Sequence, residues 1–176
     1  LPGLVDPHTH LVWAGDRLDE FEMRLQGKSY LEIMAAGGGI AATLQATRAA
    51  SFEELLTQTR ERAHIAFAHG TTTLEAKTGY GLDIETELRQ LQVILKLDEE
   101  GPLELIPTHL GAHAIPPEFA GNAEGYTDFL CSEALPAVQA WWQEHAPARQ
   151  LPFVDVFCEE GVFDLAQTRR ILLRAQ

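Results

Sequence analysis

Two histidines, His8 and His10, close an apolar run in the order Leu4-Val5-Asp6-Pro7-His8-Thr9-His10. Side chains alternate along a strand, so the two imidazoles project from one face, two residues apart. A pair of neutral imidazoles near the C-terminal end of a strand can grip a single divalent ion. A bare His-x-His says little. An apolar strand running straight into one is a specific arrangement, and metal binding by His8 and His10 is expected.

Other segments carry side chains that could act on a substrate. Arg17 lies seven residues beyond His10, in a loop placed over the strand end. Its planar guanidinium can fork onto a substrate carboxylate, or it can bridge to Asp16, Asp19 or Glu20; both readings stand. Tyr80 sits between two glycines in Glu75-Ala76-Lys77-Thr78-Gly79-Tyr80-Gly81. A sharp turn there either presents the phenol over a site or folds it down as a cap on the core. Lys77 reads as an internal ion pair with Glu75 or another acid. His109 and His113 are four apart, but Pro107 and Gly111 argue against a helix between them. His109 is expected to point inward from a strand. His113 is expected in the loop beyond, where an imidazole could polarise a carbonyl or serve as a hydrogen-bonded structural group. Glu159 ends the run Asp155-Val156-Phe157-Cys158 and lies either behind a metal's ligands or in solvent. His64, His69 and His145 fall in helical stretches and receive no role. Gly37-Gly38-Gly39 lacks the Lys-Ser/Thr of a phosphate loop.

These residues need a frame. Four apolar runs have strand character, at Leu4–Val12, Thr71–Ala76, Leu103–Leu110 and Phe153–Cys158. The last two are mostly continuous rather than alternating, which suits strands covered on both faces of a parallel sheet. Helices fall between them. Ser51 with Glu54 forms a capping box that opens a helix ending at Gly70. Asp83 caps a second, with Leu88, Leu91, Ile94 and Leu95 on one face and Gly101-Pro102 as its stop. A helical region from Tyr126 to His145 is interrupted by Pro136, and Asp164 with Gln167 opens a last helix.

Strands alternating with helices imply an α/β fold of βαβ units. About 60 residues separate the first two strands, more than a crossover needs, so an insertion with its own short helices is expected there. Four βα units make half of an eightfold barrel, and an open doubly wound sheet is the alternative. The chain opens on Leu1-Pro2-Gly3 with no initiator Met and stops within a helix. It is therefore expected to be part of a longer protein.

Composition narrows the partners. Acidic residues outnumber basic ones 26 to 13, a net charge of −13. Such a surface repels phosphate backbones and anionic lipid, which argues against nucleic-acid and membrane partners. No apolar run approaches the roughly 20 residues that span a bilayer. Two cysteines, Cys131 and Cys158, are too few for a disulfide framework. A reduced, cytoplasmic protein is expected.

The motifs together resemble a known family. Leu4-Val5-Asp6-Pro7-His8-Thr9-His10 is similar to the opening metal motif of the amidohydrolase superfamily. Within it the chain resembles the imidazolonepropionases, through Ala14-Gly15-Asp16-Arg17, Gly37-Gly38-Gly39-Ile40, Glu75 to Leu82, Leu110-Gly111-Ala112-His113-Ala114 and Asp155-Val156-Phe157-Cys158-Glu159. That resemblance implies a partial (β/α)8 TIM barrel, with residues 1–176 as its first half and a flanking β-sandwich outside it. It implies hydrolytic opening of the ring of 4-imidazolone-5-propanoate to N-formimidoyl-L-glutamate. It implies one zinc or iron ion held by His8 and His10, with Arg17, Tyr30, Tyr80 and His113 at the substrate and His113 stabilising the oxyanion. It implies further metal ligands beyond Gln176, and a possible homodimer for the full-length protein. Two other outcomes stand beside it. One is a different amidohydrolase, such as a cyclic-amidine (base) deaminase; the other is an inactive truncated fragment.

Overall fold

A computed structural model describes residues 2–29, 32–33 and 37–176. Four parallel strands form one sheet: β1 Leu4–Thr9, β2 Thr71–Lys77, β3 Glu104–Ala112 and β4 Phe153–Val156. Their order is β1-β2-β3-β4, so neighbours in sequence are neighbours in the sheet. A doubly wound sheet would reverse that order at a switch point. Right-handed crossovers repeated in one direction instead put every connecting helix on the same side, and the sheet curls as a half-barrel.

The described helices are α1 Leu18–Leu25, α2 Ile40–Ala49, α3 Phe52–Ala68, α4 Ile84–Glu100, α5 Ala123–Phe129, α6 Leu135–His145 and α7 Leu165–Ala175. The expected caps form. Ser51 and Asp164 each close a capping box, with Glu54 and Gln167, and the Asp83 carboxylate accepts from the Thr86 N–H. A π turn at Leu130–Ala134 joins α5 to α6 without a break in the helical backbone, next to Pro136, which has no N–H to give to the ladder. The 60-residue stretch after β1 holds α1, α2 and the crossover helix α3.

Side-chain parity divides the sheet. Leu74, Ala76 and Leu105 face the helices and join Leu55, Leu91, Ile94 and Trp142 in the main core. A second cluster gathers Leu82, Tyr126, Leu130, Phe163 and Ile171 below the ends of β3 and β4. The opposite face is polar at its centre. Lys77 Nζ donates to Glu75 Oε1 at 2.9 Å and to Asp155 Oδ2 at 2.8 Å, and the Thr108 hydroxyl donates to Glu75 Oε1 at 2.7 Å. Burial works against the Lys77 ammonium, but its bonds to Asp155 and Glu75 outweigh it and hold its pKa above the usual lysine value. The expected internal ion pair is therefore a triad tying β2 to β3 and β4.

Two expectations need correction. The first strand stops at Thr9 rather than Val12, because the carbonyls beyond it bond to side chains instead of a neighbouring strand. Gln90 Nε2 donates to the Val12 carbonyl at 2.8 Å, and Arg62 Nη1 to the Leu11 and Trp13 carbonyls. His109 points outward, not inward. The Thr108 hydroxyl reaches the inner triad, so the next residue along β3 must face the helices.

Candidate active site

At the C-terminal ends of the strands three rings meet. His10 follows β1, Tyr80 lies in the loop after β2, and His113 lies just past β3. The His10 and His113 rings stack with centroids 4.5 Å apart and planes within 12°. Tyr80 packs at 4.9 Å from His10 and 5.4 Å from His113. His8 stands 6.0 Å from His10, and Phe157 meets the edge of His113 at 6.0 Å. Chain segments about 100 residues apart thus supply one cluster.

The electrostatics favour the uncharged forms of His10 and His113. Burial, the neighbouring His113 and nearby positive groups lower the pKa of His10 to about 4, against the opposing pull of the Thr78 backbone. His10 is accordingly an uncharged base at neutral pH, the form in which imidazole binds metals. Its Nδ1 is buried and has no hydrogen-bond partner among the described residues. A buried ring nitrogen with no partner is compatible with a metal ligand. Among the described residues no group of three or more His, Cys, Asp or Glu converges to hold a metal. The donor set on this chain therefore fits an ion only as part of a larger one.

His113 has a defined tautomer. Its Nδ1 lies 2.9 Å from the Gly79 carbonyl, which can only accept, so Nδ1 carries a proton and Nε2 is left toward the cluster. Burial lowers its pKa, and the Gly79 bond opposes that shift. Gly79 could hold no side chain here: at φ +107 an added Cβ would lie 2.8 Å from the Leu110 carbonyl oxygen and 3.0 Å from His113 Nδ1. The Tyr80 phenol is pushed up by burial, with the charge of Arg17 pulling the other way.

Of the two readings of Arg17, the structure shows the local bridge. The Arg17 Nε and Nη2 donate to the two Glu20 oxygens at 2.7 and 2.6 Å, as anticipated from its acidic neighbours. Glu20 is itself fixed by the Gly39 N–H at 2.7 Å, so the Gly37-Gly38-Gly39 stretch anchors the carboxylate that aims Arg17. Tyr30 lies outside the described residues. Glu159 is exposed.

Sequence reasoning passed over Glu87, which α4 buries completely. Its Oε1 accepts from the Gly79, Gly81 and Leu82 N–H groups at 3.1, 2.8 and 2.9 Å, and His109 Nδ1 lies 3.4 Å from Oε2. The one available signal was that the N–H groups of Gly79, Gly81 and Leu82 need an anion or water, and it does not single out Glu87. Burial alone would raise the Glu87 pKa. Contact with His109, then bonds from Thr78 and Leu82, lower it from 4.5 to about 2. A carboxyl whose folded pKa is depressed stabilises the protein above its unfolded value and stops doing so as pH falls through the folded one. Urea midpoints of the wild type and a Glu87→Gln variant should differ at pH 6 and converge as the pH falls from 4.5 towards 2. A gap that stays constant over that interval would contradict an ionised Glu87.

Comparison with known proteins gives one consistent result. The chain is 53% identical over all 176 residues to an imidazolonepropionase of Herpetosiphon aurantiacus, covering 41% of that protein. It is 54% identical over 173 residues to an imidazolonepropionase of Chloroflexus aggregans, covering 97% of this chain and 40% of that protein. One from Parabacteroides distasonis is 49% identical over 176 residues, covering 41% of its length. No family model matches the chain. The chain is thus similar along its whole length to proteins of this name, and it spans about two fifths of theirs.

Proposed function

We propose that this chain forms the metal-gripping and substrate-holding part of an imidazolonepropionase, a hydrolase of histidine breakdown. The reaction is hydrolytic opening of the ring of 4-imidazolone-5-propanoate to N-formimidoyl-L-glutamate. The observation that carries it is the convergence of His10, Tyr80 and His113 at the strand ends, in a chain whose relatives share that name. The four strands are then the first half of a (β/α)8 barrel, whose sites lie at that end of the strands.

His8 and His10 would hold one zinc or iron ion, together with ligands from outside this chain. When bound, such an ion supplies a water of lowered pKa. His10 serves it as a neutral base. His113 holds one proton on Nδ1 for Gly79 and works through Nε2. Neutral, that nitrogen would accept the proton that the attacking water gives up, and so protonated it would donate to the ring carbonyl oxygen as negative charge develops there. Tyr80 packs against both rings and excludes water from them. Arg17, aimed by Glu20, meets the propionate and turns remote binding energy into orientation. The fork onto Glu20 makes this a shared interaction, in which the substrate carboxylate joins an existing ion pair.

The test is turnover by the protein that contains these residues, following N-formimidoyl-L-glutamate by mass spectrometry. Ammonia release from guanine or cytosine, without ring opening of the imidazolone, would replace this reading with a base deaminase. The 176-residue chain alone is expected to turn over neither. Arg17→Met is expected to raise KM for imidazolone propanoate about 10- to 100-fold, the worth of a charge-assisted bond. A substrate lacking the propionate should lose that discrimination; equal losses on both substrates would remove Arg17 from carboxylate binding.

A further inference from the structure

Three features of the β2–α4 turn stand apart from the cluster itself. Leu82 has φ +58, a left-handed conformation that a leucine adopts only where its surroundings over-determine it. Backbone groups of Gly79, Gly81 and Leu82 bond to side chains of the following helix and of more distant elements. Glu87 takes the N–H groups of residues 79, 81 and 82, while Arg48 Nε donates to the Gly81 carbonyl at 2.7 Å. The Tyr126 hydroxyl completes the set, lying 3.1 Å from the Leu82 carbonyl and 2.8 Å from that of Gly111. Finally, the turn leaves no room for adjustment: a Cβ on Gly81 would lie 2.8 Å from the Glu87 N and 3.0 Å from its Oε1.

We propose that Glu87 is a positioning residue for Tyr80 and His113, acting through the turn that carries one ring and bonds the other. Its carboxylate stands behind the site, on the helix side of the sheet, and touches neither ring. Drawing three N–H groups onto one oxygen curls the backbone so that the Tyr80 ring faces His10 and the Gly79 carbonyl faces His113 Nδ1. Without that anion three buried donors lose their acceptor. The strained Leu82 would then relax, and the tautomer of His113 would lose its fixed partner. The importance of this placement for turnover rests on the function proposed above; the placement itself does not.

The experiment uses the whole protein containing these residues, labelled with 15N-glycine. In the wild type the Gly79 and Gly81 amides are expected downfield and protected from hydrogen exchange. In Glu87→Gln, which keeps the shape and removes the charge, both should move upfield and exchange about tenfold faster or more, the effect of losing a charge-assisted bond. The kcat/KM for ring opening should fall about 10- to 100-fold, the effect of misplacing reacting groups by a fraction of an ångström to an ångström. Trp142→Phe, a core change in the next layer with a comparable thermal shift, should leave the amides and kcat/KM near wild type. Unprotected wild-type amides, or a folded Glu87→Gln variant with unchanged amides and kcat/KM, would overturn the proposal. A wild type that does not open the ring would overturn the function instead, and the amide measurements would still decide the role of Glu87.

Discussion

Replacing His10 with alanine is expected to abolish tight metal binding and to lower kcat/KM for ring opening by about 10³-fold or more. A metal's polarising effect is worth several kcal/mol at the transition state, and each 1.4 kcal/mol is tenfold. His8→Ala should behave in the same way, because the proposed site takes both rings as ligands of one ion. His109→Ala is the control that makes the pair informative. His109 faces α4, not the cluster, so the variant should keep its metal even where its stability falls. Metal content by elemental analysis after dialysis, alongside kcat/KM, checks all three. A His8→Ala, His10→Ala double variant that retains one ion per chain would remove both residues from the metal site. Stripping the wild type with a chelator and restoring zinc or iron should abolish and recover turnover; activity that survives full removal would contradict the same assignment.

The largest effect on stability is expected at Trp142. Its indole is 2% exposed, packed in the main core between α6, α4 and the helix-facing side of the sheet. Truncation to alanine leaves a cavity in a close-packed layer and should cost about 3–5 kcal/mol. Trp141, adjacent in sequence, is only partly buried and stacks on His145. Trp141→Ala should therefore cost clearly less. Urea unfolding of both variants, followed by circular dichroism, provides the comparison. Equal losses would mean that the two indoles share the burial that the structure gives to Trp142.

Much of this architecture was legible in the chain. Capping residues at Ser51, Asp83 and Asp164 mark helix starts because their side chains satisfy N–H groups that no helix can pair internally. The β-branched run Thr71-Thr72-Thr73 and the apolar stretches around Ile106 and Val154 mark strands. Where the reading went astray, the deciding partner was distant in sequence. β1 ends early because Gln90 and Arg62, roughly 50 to 80 residues away, take its last carbonyls. Glu87 looked like one more acid in a helix's first turn, and nothing local distinguishes it from Glu85, which is exposed.

His8 and His10 show where the boundary lies. Alternation along a strand is a local property and gives the expectation that they share a face; local turn chemistry likewise marks Gly79-Tyr80-Gly81 as a sharp turn, and Pro107 and Gly111 rule out a helical pair of His109 and His113. Alternation cannot say which face the helices cover, because that follows from crossover handedness and packing across the whole sheet. Only the tertiary structure turned His109 outward to Glu87. Only it brought His10, Tyr80 and His113 within 4.5 to 5.4 Å of one another. Parallel strands laid side by side in sequence order carry three separate strand ends to one place, and burial there lowers the pKa of the His10 and His113 imidazoles.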